Sequence, residues 1–258
     1  MIIEFVGASG SGKTSLARQV ARLLGDTHNA VIASDLVLSH PHLKKIATPT
    51  ARNVIADLSA LIEMLRLNGE HRTFLAYALR RLKRHRPRTL QTLNYVRSVV
   101  RRLGVDEIAR RRGRGMVVLA DEGIVLASYL LFVYGNSGFD GDDLAEFVGL
   151  APLPDGIVHV RAPLESLVRR TFSRIDPPRE LRGRDKKSVS QLLGSAVDMF
   201  EGLVATAPLR DRVLEVENLG GAARQQRLAA RIADSILTLR QPVGLATSKA
   251  MDDPGKEA

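Results

Sequence analysis

Met1-Ile2-Ile3-Glu4-Phe5-Val6 runs straight into Gly7-Ala8-Ser9-Gly10-Ser11-Gly12-Lys13-Thr14-Ser15, and this stretch decides the fold. Residues 1–6 are a short, mostly apolar run stopped by glycine, the mark of a buried strand. Residues 7–14 match G-x-x-x-x-G-K-[ST] in full. Leu16, Val20, Leu23 and Leu24 then recur at helical spacing. Each residue type has a physical reason. The glycines let the backbone curl so that successive N–H groups converge on phosphate oxygens at the positive end of the following helix. The Lys13 ammonium is placed to reach the β- and γ-phosphates, and the Thr14 hydroxyl to ligate Mg²⁺. The segment from Gly7 to Ser15 is thus the expected binding site for ATP.

Outward from this unit, short apolar runs alternate with helical patterns. Further strands are expected at 30–33, 116–120, 156–160 and 212–216, and helices at 124–134, 142–149, 164–173, 189–205 and 222–239. Residues 50–112 read as a long helical region, broken near Pro87 and Gly104. This alternation predicts an α/β fold: a P-loop NTPase with three α/β/α layers, five parallel strands and an inserted helical subdomain. One domain is expected over 1–240, with the insertion at about 45–114 and an arginine lid at about 170–187. A frayed or disordered tail is expected at 241–258.

A Mg²⁺-nucleotide site needs a second anionic group, and Asp121 stands at the carboxyl end of the third strand, where open α/β sheets bind ligands. Glu122 beside it could point toward the reacting phosphate. Apolar residues followed by Asp-Glu also match the Walker B pattern, in which the glutamate activates water. Arg169, Arg170, Arg174, Arg179, Arg182 and Arg184 follow the fourth strand, the last three in a polar stretch bounded by proline and glycine. Such a stretch is free to close over a nucleotide, and guanidinium groups spread the charge of a transferring phosphoryl group.

The 258-residue chain is 45% hydrophobic, which excludes a disordered polypeptide, and it has no cysteine, which excludes disulfides, thiolate metal sites and a cysteine nucleophile. Neither a signal peptide nor a membrane span is expected, and a cytoplasmic location fits. The net charge of +10 is uneven. Residues 66–114 carry 15 Lys or Arg against three acids, and residues 161–187 carry nine against four. A solvated helical face, a substrate domain for an anionic acceptor, and a nucleic-acid or acidic partner compete for the first segment. Stacking aromatics are sparse there, so nucleic acid is not favoured. His71 and His85 are expected at the surface, without metal-ligand spacing.

The phosphate loop, the Asp121-Glu122-Gly123 motif and residues 162–184, ending in Arg182-Gly183-Arg184, resemble P-loop kinases of the thymidylate and deoxynucleoside kinase group. The resemblance covers about residues 1–36 and 116–240. It implies that Arg170 packs near adenine, that Arg174, Arg182 and Arg184 clamp the phosphates, and that residues 218–221, beginning at Asn218, contact the base. A second-strand acid, here Asp35, would bind or deprotonate the acceptor. The group usually has an arginine where this chain has Glu122, and its pyrimidine-recognition segments are not visible. The expected function is Mg²⁺-dependent phosphoryl transfer from ATP to a small anionic or hydroxyl acceptor, with a homodimer as one arrangement. The alternative is an ATPase or nucleotide switch using Asp121-Glu122 as a Walker B pair, its basic helices gripping a protein or nucleic acid.

Overall fold

The computed structural model describes residues 1–37, 62, 69–84, 89–134 and 138–240. Strand β1 (Ile2–Val6) leads through the phosphate loop into α1 (Lys13–His28). There follow β2 (Ala30–Ile32), the short α2 (Ala33–Val37), α3 (Gly69–Arg84), α4 (Thr89–Arg112) and β3 (Val117–Ala120). A π-helix (Tyr129–Tyr134), α5 (Gly141–Leu150), β4 (Gly156–Arg161) and α6 (Leu164–Phe172) come next. The chain then forms a 3₁₀ turn (Arg179–Leu181), α7 (Lys186–Ala205), β5 (Val213–Glu217) and α8 (Ala222–Arg240).

The five strands pair in parallel in the order β2-β3-β1-β4-β5, so β1 is central and β3 lies beside it. Strand alternation divides the core. Ile3 and Phe5 of β1 pack with Leu16, Val20, Ala229 and Ile232 of α1 and α8. Val6 and Ile157 face the opposite layer, with Phe147 of α5 and Phe200 of α7. Beside them Ile2, Val118 and Ala120 meet Leu36 of α2 and Ile108 of α4. Helices on both faces explain why these strands read as continuous apolar runs.

The expected strands and the parallel sheet are present, with ends shifted by a residue or so. Gly104 does not break a helix: α4 runs unbroken through it. A helical glycine costs about 1 kcal/mol, and burial of its neighbours Leu103, Ile108 and Ala109 offsets that. The run 124–134 starts as tight turns, with Ala127 N–H on the Ile124 carbonyl and Ser128 N–H on that of Val125, before the π-helix. Helix α7 begins three residues before the expected Val189, because Asp185 caps it, accepting from the Ser188 N–H at 2.9 Å.

His71 is fully buried between α3 and α4, not exposed: its Nε2 lies 3.1 Å from Asp106 Oδ2. Surrounding charge in the sequence hid this pairing. The basic helices are likewise more than a solvated face. Arg81 forms a bidentate pair with Asp143 and stands 4.7 Å over the Phe132 ring, and Arg110 binds Asp106 and the carbonyls of Pro152 and Leu153. His85, residues 45–61 of the insertion, its break at Pro87 and the tail 241–258 lie outside the described residues.

His159 of β4 is buried beside Phe200, and its Nδ1 has no hydrogen-bond partner. Burial pulls its imidazole down to about 4 from an ordinary 6.5. Below pH 6.5 the unfolded chain therefore binds a proton that the folded chain refuses, and stability falls until about pH 4. Glu4, which burial pushes up to about 7, acts with the opposite sign between 4.5 and 7, so a variant comparison is needed. Between pH 7 and pH 5 His159→Gln should lose about 2 kcal/mol less stability than the parent chain in urea unfolding; equal losses would contradict this.

Candidate active site

The parallel sheet brings the carboxyl ends of β1, β3 and β4 to one edge, and the site is built there. The phosphate loop leaves β1 at Gly7. Gly7, Gly10 and Gly12 all have positive φ, at 143°, 87° and 89°. Gly12 also has no room for a side chain, because a Cβ would collide with the Asn218 amide. No side chain caps the first turn of α1, which leaves its N–H groups to an anion. Within the loop the Ser9 and Ser11 hydroxyls are buried without a hydrogen-bond partner. Such orphaned donors fit a polar ligand.

Two residues brace the loop from outside. Asn218, after β5, donates from Nδ2 to the Ser11 carbonyl at 2.7 Å and accepts the Gly220 N–H at 3.1 Å. Arg170, on α6, donates from Nη1 to the Gly10 carbonyl at 3.2 Å and from Nη2 to the Asn218 carbonyl at 3.1 Å. The two residues expected at the adenine are thus joined to each other and to the loop backbone. A guanidinium held edge-on by carbonyls keeps its flat face for stacking.

Lys13 opens α1, with Thr14 and Ser15 after it. Burial, helped by Arg174, brings the Lys13 ammonium down to about 8, while Glu122 and Asp121 pull the other way. Arg174 is thus in electrostatic reach of Lys13. Burial and then the neighbouring Glu122 hold the Asp121 carboxyl above the usual aspartate range, against the pull of Arg18 and Lys13. Asp121 and Glu122 act on each other and on Lys13, the residue before Thr14. A carboxylate held above its usual range by a second one is the kind of group that a divalent cation would relieve, so Thr14 and Asp121 are the residues that would hold Mg²⁺. Among the described residues no group of three or more His, Cys, Asp or Glu could hold a metal ion on its own. Asp35, exposed in α2, lines a concavity of 460 Å³ together with Asp121, Arg18 and Arg22.

Arg182 and Arg184 bond within their own segment. Arg182 is held by Asp176 and the Pro177 carbonyl, and Arg184 by the Glu180 carbonyl at 2.7 Å. Both line a cleft of 630 Å³ against Gln91, Asn94 and Tyr95 of α4. A larger concavity of 750 Å³, between α6 and the start of α7, is lined by none of the phosphate-loop residues. Two residues escaped the sequence reading. Arg102 of α4 is in electrostatic reach of Glu122 and Glu4, with its Nε buried and unpartnered. Glu4 accepts the Val125 and Leu126 N–H groups of the turn that follows Asp121-Glu122 and lies against Gly123. A lone acid in an apolar strand was the available signal for Glu4; nothing in the run of arginines distinguished Arg102.

Fold and loop together define an α/β protein with a parallel sheet and a complete phosphate-loop motif between β1 and α1. No family model matches the chain, and no curated protein does. Among solved structures it is similar to a deoxyadenosine kinase from M. mycoides, determined with its products dCMP and a flexible dCDP. The identity is 11%, 91% of this chain and 100% of that chain are covered, and the TM-score is 0.50. It is also similar to shikimate kinase from Acinetobacter baumannii in complex with shikimate, at 18% identity, covering 93% and 94% of the chains, with a TM-score of 0.46. The likeness is one of fold: the chain shares with that solved P-loop kinase an α/β architecture built on a five-stranded parallel sheet.

Asn218→Ala should cost about 1–3 kcal/mol of stability through its lost buried hydrogen bonds and weaken nucleotide binding, read by urea unfolding and titration calorimetry. Unchanged nucleotide affinity would remove Asn218 from the support of the loop.

Proposed function

We propose that this chain is an ATP-binding, Mg²⁺-dependent phosphotransferase acting on a small anionic or hydroxyl acceptor. The observation that carries the reading is the meeting of three separate segments at one sheet edge. Lys13 of the phosphate loop has both Asp121-Glu122, at the end of β3, and Arg174, after β4, within its electrostatic reach. Residues 1–240 act as one domain in this reading, with the insertion at about 45–114 supplying the acceptor side and about 170–187 the lid.

The loop N–H groups and Lys13 bind the β- and γ-phosphates, while Arg170 and Asn218 hold the loop and face the base. Thr14 and Asp121 would hold Mg²⁺, which would supply positive charge against the phosphates of the nucleotide. The acceptor enters by the cleft between α4 and the lid, where Arg182 and Arg184 suit an anionic group. An acceptor oxygen bonds to the γ-phosphorus as the bond to the β,γ-bridging oxygen breaks, leaving ADP. For a hydroxyl acceptor, Glu122 or Asp35 takes the proton. Lys13 and Arg174 spread the charge that develops on the transferred group. A lid arginine beside Lys13 favours transfer over hydrolysis, because closure excludes water.

Purified protein with ATP and Mg²⁺, given a panel of nucleosides, nucleotides and sugars, should form ADP in step with a phosphorylated acceptor. ADP formation indifferent to every acceptor but raised by nucleic acid or a protein would replace this reading with an ATPase. Lys13→Ala should abolish turnover, and Arg174→Ala should lower kcat by about 10³-fold; a fully active Lys13→Ala chain would refute the phosphate-loop assignment.

A further inference from the structure

Glu4 is an acid in the middle of an otherwise apolar central strand, and it is 1% exposed. Its Oε1 accepts the Leu126 N–H at 2.8 Å and its Oε2 the Val125 N–H at 3.0 Å. Gly123 packs directly on the carboxylate, and a Cβ there would collide with Glu4 Cδ and Oε2. The turn that begins with Asp121 and Glu122 is therefore pinned at three points to β1. Three residues after Glu4, the same strand opens the phosphate loop.

Burying a carboxylate is costly, and a leucine or methionine would fill this place in the core more cheaply. What the acid supplies is two directed hydrogen bonds from a fixed point. Arg102 of α4 adds an opposing charge within electrostatic reach. We propose that Glu4 is a positioning residue: it sets where Asp121 and Glu122 stand relative to the phosphate loop, and through them how tightly a divalent cation is held with the nucleotide. This rests on the reading of Thr14 and Asp121 as the metal-binding pair. Only a glutamate spans both N–H groups. Glutamine would turn an NH₂ toward one of them, and aspartate is a methylene too short.

The test is the gain in affinity for a non-hydrolysable ATP analogue on adding Mg²⁺, measured by calorimetry on the full chain. Glu4→Gln should leave the metal-free affinity essentially unchanged and lose about 10–100-fold of the Mg²⁺-dependent gain, as losing a residue that orients metal ligands does. Gly123→Ala, which keeps Glu4 and displaces the turn, should show the same loss and decides the matter if Glu4→Gln does not fold. A folded Glu4→Gln or Gly123→Ala chain with the full Mg²⁺ gain, where Asp121→Asn has lost it, overturns the positioning role alone. A gain that is absent from the parent chain or survives Asp121→Asn overturns the metal assignment and this inference together.

Discussion

Everything at the site depends on β1. It is the middle strand of a parallel sheet, paired on one side with β3 and on the other with β4. Parallel pairing requires that the three strands end at the same edge, so the loop after β1, the acids after β3 and the segment after β4 leave the sheet at one place without long excursions of the chain. The alternation of β1 then divides the work. Ile3 and Phe5 seal it against α1 and α8, while Glu4 on the other face holds the turn after β3.

That arrangement collects unlike charges in a small volume. Lys13, Arg174 and Arg102 oppose Asp121, Glu122 and Glu4, and the effects of burial on them are visible: Lys13 is brought down to about 8 and Glu4 up to about 7. Burial works against the charged forms of Lys13, Arg102, Asp121 and Glu4, and their charges are closer to balance once a triphosphate and a cation arrive. A site poised in this way favours its ligands by giving charged groups partners they lack.

The fold was legible because its signals were local. A complete phosphate-loop motif between a strand and a helix, and apolar runs ending in polar residues, need no knowledge of distant contacts. Asp121 was legible for the same reason, being the first polar residue after Val117-Val118-Leu119-Ala120. What stayed hidden depended on facing partners far along the chain. Glu4 meets the turn more than a hundred residues later. His71 is matched by Asp106 on the next helix. Arg102 differs from its neighbour Arg101 only by the face of α4 it occupies. The sequence showed Arg182 and Arg184 in an arginine-rich polar segment, but not their bonding to carbonyls of that segment, because no period encodes such local bonds.

The positive charge of the insertion also changes meaning. Arg81 and Arg110 serve packing between helices, and Arg102 stands in electrostatic reach of Glu122 and Glu4. The claim on which the functional reading stands is that nucleotide phosphates, Lys13 and the Asp121 turn meet at the edge of β1. A crystal structure with a non-hydrolysable ATP analogue and Mg²⁺ measures this most directly. It should place the γ-phosphate against Lys13 and the cation beside Thr14 and Asp121. A nucleotide seated away from the loop, or an Asp121 turned from the cation, would contradict it.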